Sequence, residues 1–383
     1  MALSKVDLAN QVENQLPQNL VANNLPFRNI LINGDMSIAQ RGTSTSGVTS
    51  PGYYACDRWR VGFDTAGTWT ISQDTDVPTG QGFAKSMKFD CTTANGSLSA
   101  NSAFFLTQRL EGQNLQYLKK GTSSAESLTA SFWVKSNKTG TYILMLDDID
   151  NSRSFSKSYT INSADTWEKK TLTFAGDTTG TLDNDNARSF DVRWWFVAGT
   201  TYSSGTLNTS WNSNTNANLA VGQVNLADST SNYINITGVQ LEAGTTASDF
   251  EFLPFDTQLQ RCQRYYESNY QYGTAPAEGS SYLNVTFYSG LIAYVTTSTR
   301  LIHYYKVLKR TKPTLTFYNV TGLGAGTTTG RWQYYTSGWI ETPAAATTGE
   351  SRVDSICIDI GGGGYSIGSG YICAGGLAAN AEL

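Results

Sequence analysis

Histidine is scarce in this chain, and its scarcity limits the chemistry that the chain can perform. His303 is the one histidine among 383 residues, and it lies inside an apolar and aromatic stretch. Histidine-based nucleophilic catalysis and multi-histidine metal sites need imidazoles that are free to exchange protons or to bind a metal. The sequence therefore excludes both, and it predicts a strand histidine whose hydrogen bonds are satisfied locally.

Carboxylates are the next candidates, because glycoside hydrolases work with two of them. Asp147, Asp148 and Asp150 form the densest acidic group, and Asp183 and Asp185 form a second one. Both groups lie where strands are expected to turn, among Asn and Ser residues that favour local side-chain-to-backbone hydrogen bonds. We interpret them as solvated turn acids rather than a catalytic pair, and we expect no catalytic residues and no enzyme activity.

Calcium is the other use for such acids, since hard cations bind loop oxygens. The segment Asp148–Ser152 begins like an EF-hand loop, but no Gly stands at its sixth position and no Glu at its twelfth. Carbohydrate-binding sandwiches that begin with a similar Asn-Gly-x-Phe-Glu strand often hold a structural calcium between their first and last strands. Here Met36 and Ser37 replace the Phe-Glu, and Gly238 stands where an acid would be expected in the last strand. We therefore expect no metal and no cofactor.

Composition and cysteine content limit the class of protein. Charged residues make up 15% of the chain and aromatic residues 12%, with a formal net charge of −4. This charge gives no attraction to nucleic acid or to anionic lipid, and we expect neither nucleic-acid binding nor membrane insertion. Five cysteines without C-x-x-C spacing predict buried reduced thiols rather than a metal cluster or disulfide framework.

Aromatic side chains are the remaining source of binding chemistry, and they concentrate near the C-terminus. Flat rings stack on the C–H faces of sugars, while Arg and amide groups bind sugar hydroxyls. The candidate receptor- or glycan-binding residues are Tyr304, Tyr305, Arg331, Trp332, Tyr334 and Trp339. Core packing combined with a threefold interface is the alternative for the same residues. A basic run from Lys306 to Lys312 offers either a contact for acidic polysaccharide or a solvated strand face.

The elements that position these residues follow from periodicity. Residues 1–26 are expected to form an N-terminal anchor, with a short helix beginning at Ser4 and ending before Pro17. Its apolar stripe is expected to dock on sister chains or an adaptor protein, and packing on its own sandwich is the alternative. Residues 27–255 alternate with period two between frequent turns, which predicts a jelly-roll-like antiparallel β-sandwich. For example, Leu128, Ala130, Phe132 and Val134 alternate with the outward-facing Thr129, Ser131, Trp133 and Lys135. Around residues 102–120 the pattern changes and suggests a loop with a helical turn over one edge of the sandwich. Residues 256–268 form a connector helix with Asp256 as its N-cap, and residues 269–383 form a smaller β-rich tip domain. The fold class is mainly β.

Two apolar segments bracket the sandwich and belong to a longer series of ordered motifs. Ile30–Gly42 and Ile236–Glu242 are predicted as its first and last strands, lying side by side. The series is Asn33-Gly-Asp-Met-Ser, Gln40-Arg-Gly, Asp57-Arg-Trp, Gln108-Arg-Leu-Glu-Gly, Ser131-Phe-Trp-Val-Lys, Gly238-Val-Gln-Leu-Glu and Arg261-Cys-Gln-Arg-Tyr-Tyr266. In this order the motifs resemble bacteriophage tail-fibre and receptor-binding proteins, especially those of podoviruses of marine bacteria and cyanobacteria.

The resemblance implies a virion structural protein that is assembled in the host cytoplasm and carried as a tail appendage. It implies that residues 1–26 attach to a tail adaptor or nozzle protein, and that the distal β domains bind a host-surface polysaccharide. It also implies a homotrimer, in which several weak glycan contacts act together. A capsid-attached fibre or decoration protein is the alternative, and a polysaccharide depolymerase is a further one.

Overall fold

The computed structural model describes residues 27–295, 298–323, 328–335, 339–342, 344–361 and 370–383. The predicted N-terminal anchor and its helix, residues 1–26, lie outside the described residues. Described strands pair almost entirely in antiparallel fashion, and they form a two-sheet sandwich followed by a second, smaller group of sheets. The predicted fold class, a mainly β chain with a jelly-roll-like sandwich, is confirmed.

The sandwich consists of a six-stranded and a seven-stranded sheet that share one core. The six-stranded sheet contains, in spatial order, β1 (Ser44–Val48), β4 (Thr68–Asp74), β5 (Ser86–Thr93), β13 (Tyr233–Ala243), β7 (Leu128–Ser136) and β10 (Glu168–Phe174). The seven-stranded sheet contains β12 (Asn212–Ser213), β9 (Arg153–Ile161), β8 (Gly140–Asp148), β11 (Arg188–Ala198), β6 (Ala103–Glu111), β3 (Arg60–Asp64) and β2 (Gly52–Tyr53).

Alternation along β7 shows why the sequence forms this sandwich. The even-numbered residues from Leu128 to Val134 lie in the shared core, and the odd-numbered ones from Thr129 to Lys135 lie on the outer face. Full burial of a Leu, Phe or Val side chain contributes about 1.5–3 kcal/mol. A one-residue slip would turn this apolar set toward water, so the core fixes the register of the strand.

Strand β6 was not predicted, since residues 102–120 were expected to form a loop with a helical turn. This prediction was wrong for Ala103–Glu111, which is a central strand, while short 3₁₀ turns follow at Gly112–Asn114 and Gln116–Leu118. The alternation is hidden because Gln108 is polar yet buried. Its amide oxygen accepts from the Ile32 backbone N–H at 2.7 Å, and its amide nitrogen donates to the Ile32 carbonyl at 2.9 Å.

The two bracketing segments do lie side by side, as predicted. The Ile30 N–H donates to the Leu241 carbonyl at 2.8 Å, and the Val239 N–H donates to the Gly34 carbonyl at 2.9 Å. The segment from Ile30 to Gly42 is nevertheless not a strand. Asn33 and Met36 both adopt φ of +60°, which breaks an extended conformation.

The connector helix is shorter than predicted. Helix α1 is a single turn at Thr200–Ser203, and the connector α2 spans Phe255–Gln263 rather than 256–268. Its N-cap is Pro254, and Asp256 lies in the first turn instead. The helix ends early because Tyr266–Ser268 forms strand β14, which pairs with a strand at the C-terminus.

The second group of sheets follows α2 in the chain and includes the C-terminal strand. A three-stranded sheet contains β14 (Tyr266–Ser268), β25 (Gly376–Asn380) and β18 (Thr314–Tyr318), and a two-stranded one contains β15 (Ser280–Ser281) and β19 (Val320–Thr321). A seven-stranded sheet contains β21 (Trp339–Glu341), β20 (Gln333–Tyr335), β24 (Gly370–Ala374), β16 (Tyr288–Val295), β17 (Ser298–Tyr304), β23 (Ser355–Gly361) and β22 (Thr347–Ser351).

A buried polar network joins the sandwich to these sheets, and the recurring motifs supply it. The Arg58 guanidinium lies 3.5 Å from the ring centroid of Tyr265 and forms an ion pair with Glu382. Glu111 accepts from Arg264 at 2.7 and 2.9 Å and from the Tyr265 hydroxyl. Removing one partner of a buried ion pair leaves an uncompensated charge. The motif residues thus hold the two parts of the chain in a fixed arrangement.

The predicted state of the cysteines is confirmed. All five are free, and all except the half-buried Cys357 are buried. Burial raises the pKa of the Cys56 and Cys262 thiols well above the usual range. Among the described residues, no helix has the length and apolar character needed to cross a membrane.

Candidate functional site

Three of the aromatic residues predicted to bind a receptor are buried. Tyr305, Trp332 and Tyr334 belong to the core of the C-terminal sheets. The Trp332 ring stacks on Tyr288 with a centroid distance of 5.5 Å and an interplanar angle of 17°. Their position matches the alternative given above, in which these rings pack a core.

The other three predicted residues do not meet in one place. Tyr304 is 71% exposed on β17, which is separated from β20 by two strands, β24 and β16. Arg331 lies 3.8 Å from Glu341, and Trp339 packs on Phe287 at a centroid distance of 5.9 Å. The structure therefore leaves Tyr304, Arg331 and Trp339 near the surface without assembling the six residues into a single site.

The buried carboxylate of Glu267 contacts both His303 and one lysine of the basic run. Glu267 lies 3.6 Å from His303 and forms an ion pair with the fully buried Lys309. The Tyr288 hydroxyl shares a hydrogen bond of 3.0 Å with the other His303 ring nitrogen, so the histidine is satisfied locally. Arg310 donates to the Ala381 carbonyl at 3.0 Å. The basic run is thus not a uniformly solvated face, because two of its cations stabilise the fold.

The acidic groups divide into buried ion pairs and solvated turns. Asp148 pairs with Lys120, whereas Asp147 faces the opposite side of the sheet and pairs with Arg193. The prediction that both are solvated turn acids was wrong, since both lie buried at the end of β8. Asp183 and Asp185 are exposed. Adjacent strand residues point to opposite faces, so Asp147 and Asp148 form no catalytic pair.

Where the Ile30–Gly42 and Ile236–Glu242 segments meet, the nearby carboxylates already have hydrogen-bond or ion-pair partners within the chain. Glu242 accepts from the Ser248 hydroxyl at 2.7 Å and lies 3.9 Å from Arg28, while Glu251 accepts from the Asn29 backbone N–H at 3.0 Å. In the described part of the chain, no group of three or more His, Cys, Asp or Glu side chains is arranged to hold a metal ion. The partners of these two carboxylates include the Arg28 guanidinium and backbone N–H groups, in the place that a metal ion would take.

A cleft on the outer face of the six-stranded sheet has the features of a binding site. We name it the aromatic cleft; it has a volume of about 190 Å³. It is lined by Gly80, Gln81, Phe83, Ser131, Trp133, Lys169, Gly238, Asp249, Phe250 and Phe252. Ser131, Trp133 and Gly238 come from strands β7 and β13 and form its floor, while two loops form its walls.

The floor is shaped by a β-bulge at Gly238. Thr237 pairs with Trp133 and Gln240 pairs with Ser131, so Gly238 and Val239 together oppose one residue of β7. Gly238 has φ of +59°, the left-handed conformation that favours glycine in such bulges. A Cβ atom at this position would lie 2.5 Å from the Phe83 ring. Glycine is therefore required both for the bulge and for the approach of Phe83.

One wall is held by two buried residues of the same motif. The Gln240 amide nitrogen donates to Glu242 at 2.9 Å and to the Ser248 hydroxyl at 3.0 Å, and its oxygen accepts from the Glu251 N–H at 2.9 Å. These bonds fix the loop that carries Phe250 and Phe252. A fully bonded buried network of this kind makes a loop rigid.

Three phenylalanine rings form the apolar side of the cleft. Phe83 lies 5.1 Å from both Phe250 and Phe252, and the latter two are 4.9 Å apart, measured between ring centroids. Phe252 is 51% exposed, which leaves one side of its ring free for a ligand. Trp133 is half-buried on the floor, and no other ring packs on it among the described residues.

Polar groups surround this apolar surface. Gln81, Lys169 and Asp249 are exposed at the rim. Beside the cleft, Asp76 accepts from the Trp167 indole N–H at 2.9 Å and pairs with Lys135. Flat apolar rings next to hydrogen-bonding groups suit a ligand with C–H faces and polar edges. The arrangement offers binding contacts rather than a proton-transfer pair.

Sequence reasoning missed this site, although part of the signal was present. Trp133 was placed correctly on the polar face of an alternating strand, where a large aromatic residue is out of keeping with its Thr, Ser and Lys neighbours. Phe83, Phe250 and Phe252 lie outside regular strands and carry no periodic signal. Only the fold brings them to Trp133.

Comparisons with solved structures give similarities of low identity. The enzymatically active domain of tailspike protein 4 from bacteriophage CBA120 is 14% identical with a TM-score of 0.30, covering 57% of this chain and 22% of that chain. TmCBM61 in complex with β-1,4-galactotriose is 12% identical with a TM-score of 0.29, covering 56% and 99%. The N-terminal cellulose-binding domain of Cellulomonas fimi β-1,4-glucanase C is 11% identical with a TM-score of 0.27, covering 49% and 90%.

The chain thus spans less than a quarter of the tailspike structure to which it is similar. No family model matches the sequence, and no curated protein matches it. All three TM-scores are low, so the function is inferred from the chain's own residues.

Proposed function

We propose that this chain binds a glycan through the aromatic cleft and that it serves as a tail-fibre protein of a bacteriophage. The observation that carries the binding proposal is the exposed Phe252 ring beside the half-buried Trp133, with Gln81 and Asp249 at the rim. Sugar rings present apolar C–H faces to aromatic rings and direct hydroxyl groups toward amides and carboxylates. The cleft supplies both kinds of contact within one cavity.

Its dimensions favour a short stretch of sugar rather than a large ligand. The volume of about 190 Å³ is below the roughly 300–1,000 Å³ of pockets that enclose drug-sized molecules. A shallow cleft of this size engages one or two rings of a longer chain, and each such contact is weak. Presentation of several clefts on one particle would convert weak contacts into stable attachment.

The proposal is for binding without hydrolysis. Hydrolysis of a glycosidic bond uses two carboxyl groups on either side of the bond. The lining of the cleft includes one carboxylate, that of Asp249. Asp147 and Asp191 lie on the other sheet, where both are buried and bonded to Arg193. These acids are therefore held by guanidinium groups instead of being open to a substrate.

The tail-fibre and homotrimer parts of the proposal are supported by the motif resemblance and by the C-terminal sheets. Ile302, Tyr304, Tyr335 and Ile372 are exposed, large and apolar or aromatic. Ile302 and Tyr304 alternate with buried neighbours along β17, so they share the outer face of the sheet. Exposed apolar surface of this kind is typical of contacts between protein chains. Second and third copies of this chain are the proposed partners.

Binding is tested with single substitutions and host-surface polysaccharide. Trp133→Ala and Phe252→Ala are each expected to weaken binding at least about 30-fold, the loss typical of a central aromatic contact. Tyr117→Ala is the matched control, since it removes a ring with the same 51% exposure as Phe252 from outside the cleft. Tyr304→Ala tests the tip that the sequence favoured. Isothermal titration calorimetry on the intact protein measures each affinity. Loss with Tyr304→Ala and full affinity with Trp133→Ala would move the site to the C-terminal sheets.

Assembly and placement need separate measurements. Light scattering on the intact protein is expected to give three times the chain mass of 41.6 kDa, and a monomeric mass would remove the trimer. Gold labelling of residues 1–26 on intact particles distinguishes a tail fibre from a capsid fibre. Label on the capsid would support the alternative placement.

A further inference from the structure

The outer face of the other sheet, the seven-stranded one, carries an unusual set of arginines. Arg60 on β3 pairs in register with Thr107 on β6, which pairs with Arg193 on β11. Residues that are directly opposed in antiparallel strands point to the same face. Two residues further along β6, Arg109 pairs with Asp191 on β11. With Arg188, which donates to Asp191 at 2.7 Å, these residues form what we name the arginine face: Arg60, Arg109, Arg188 and Arg193.

Two carboxylates neutralise only part of this charge. Asp191 accepts from Arg188 and, at 3.0 Å, from Arg193. Asp147 pairs with Arg193 and accepts from the Asn214 amide at 2.6 Å. Four guanidinium groups thus face two buried carboxylates. Burial would raise the pKa of Asp191, but its hydrogen bond from Arg188 and the nearby guanidinium charges outweigh that effect and lower it, so Asp191 is anionic.

The clearest excess of positive charge lies on Arg60. Arg60 is half-buried, and its guanidinium has no ion pair or hydrogen bond with any described residue. Arg109 donates to the main-chain oxygen of Leu383, and its Nε atom is buried without a partner. Burial, together with the charges of Arg188 and Arg60, lowers the pKa of Arg109 to about 10. Neighbouring like charges of this kind are stabilised by an anion placed between them.

An apolar ring borders the same face. Phe105 lies against Gly62, where a Cβ atom would be 2.1 Å from the ring. The Arg193 guanidinium lies 5.3 Å from the Phe105 centroid, and the half-buried ring packs on Trp195 at a centroid distance of 4.9 Å. Beyond it, Trp195 is covered by Tyr202 at a centroid distance of 5.3 Å. The face therefore offers an aromatic contact next to unneutralised guanidinium groups.

We infer that the arginine face is a second binding site, for the carboxylate or sulfate group of an acidic polysaccharide, with Phe105 contacting the sugar ring. The sugar part of this inference rests on the proposed glycan-binding function. Guanidinium groups bind carboxylate and sulfate oxygens with two parallel hydrogen bonds, which a single lysine ammonium cannot provide. The chain has a net charge of −4, so a polyanion would be attracted by this local site and not by the protein as a whole.

The test uses pairs of polymers that differ in charge alone. Binding of polygalacturonate is compared with that of its methyl ester, and binding of dextran sulfate with that of dextran, by calorimetry on the intact protein at low salt. We expect at least one charged polymer to bind at least about tenfold more tightly than its neutral partner. Preference for polygalacturonate identifies a carboxylate site, and preference for dextran sulfate a sulfate site. Equal binding within both pairs, or no binding of either charged polymer, overturns the inference.

Substitutions assign the binding to this face. Arg60→Gln removes the unpaired guanidinium without disturbing Asp147 or Asp191, and we expect about tenfold weaker binding of the charged polymer. Arg352→Gln is the matched control, because it removes the same charge from an exposed position beside Glu350. Equal losses in the two variants would refute a specific site.

The aromatic cleft provides the means to separate the two proposals. Trp133→Ala is expected to abolish binding of neutral glycan and to preserve the charge preference of the arginine face. Charge preference that disappears with Trp133→Ala and survives Arg60→Gln would overturn the second site while supporting the first. Glycan binding that is unaffected by Trp133→Ala and lost with Arg60→Gln would overturn the aromatic cleft as a binding site while supporting the arginine face.

Discussion

Replacement of Gly238 by alanine tests whether the bulge builds the aromatic cleft. At φ of +59°, a non-glycine residue costs about 1–2 kcal/mol. The added Cβ would also lie 2.5 Å from the Phe83 ring, which belongs to a buried side chain. Forcing such a ring aside costs about 1–3 kcal/mol more, by analogy with overpacked cores. The two costs have different causes, so a control is needed to separate them.

Gly47 provides that control. It has φ of +69°, and a Cβ atom there would meet nothing within 4 Å. Gly47→Ala therefore carries the conformational cost without the contact with Phe83. In a domain of the size of the sandwich, about 1 kcal/mol corresponds to about 2–4 °C in Tm. With roughly 2 kcal/mol assigned to the clash, Gly238→Ala is expected to lower Tm by about 4–8 °C more than Gly47→Ala.

Differential scanning calorimetry measures the stability of both variants, and titration with host polysaccharide measures binding. Displacement of Phe83 also moves the ring contact that supports Phe252, so Gly238→Ala should weaken glycan binding, whereas Gly47→Ala should preserve it. Identical Tm values for the two variants would show that Phe83 yields without cost. Unchanged binding in Gly238→Ala would show that the bulge does not position the cleft.

Two further predictions concern the C-terminal sheets. Lys309→Met leaves Glu267 with an unpaired buried charge and should cost about 3–5 kcal/mol in chemical denaturation, whereas Lys306→Met, at an exposed position, should change stability by less than about 0.5 kcal/mol; equal effects would contradict the role of the ion pair. Burial alone would raise the pKa of Glu267, but the hydrogen bond from His303 and the charge of Lys309 outweigh it and lower the pKa in the folded state. Its contribution to stability is therefore present above the unfolded pKa of about 4.3 and is lost as pH falls through the folded value. Denaturation midpoints at pH 6 and pH 3 should differ less in Glu267→Gln than in the wild type or in the exposed control Glu350→Gln, and equal differences would refute the assignment.

The sequence predicts the sandwich where side chains alternate without interruption. Along β7, the residues predicted to point inward, Leu128 to Val134 in steps of two, are those that lie in the shared core. Along β6, the buried Gln108 interrupts the alternation because it bonds to Ile32, a residue far away in the chain. Periodicity measures only local pattern, so a strand whose polar core residue is satisfied by a distant segment is not recognised.

The predicted binding residues show the same limit for function. Trp332 and Tyr334 are aromatic and near arginine, as a glycan site requires, yet they fill a core. Phe252 lies in a loop, and it becomes part of a cleft because Gln240 and Glu242 hold that loop against β13. Composition identifies the residue types that bind sugars, while exposure is decided by tertiary packing.

The motif residues and the candidate ligand contacts have different roles: the motif residues build the scaffold, and most of the candidate contacts lie on its surface. Asp57, Arg58 and Glu111 are motif residues that are buried in the junction between the two parts of the chain. Gly238 and Gln240 shape the cleft from below, while Phe252, the exposed ring of the cleft, lies outside every motif. A buried network tolerates few changes, because each loss leaves an unsatisfied group. An exposed loop residue tolerates many. Such a chain can keep its scaffold and the position of its site while exchanging Phe252, Gln81 and Asp249, which is what a receptor-binding protein facing a changing surface polysaccharide requires.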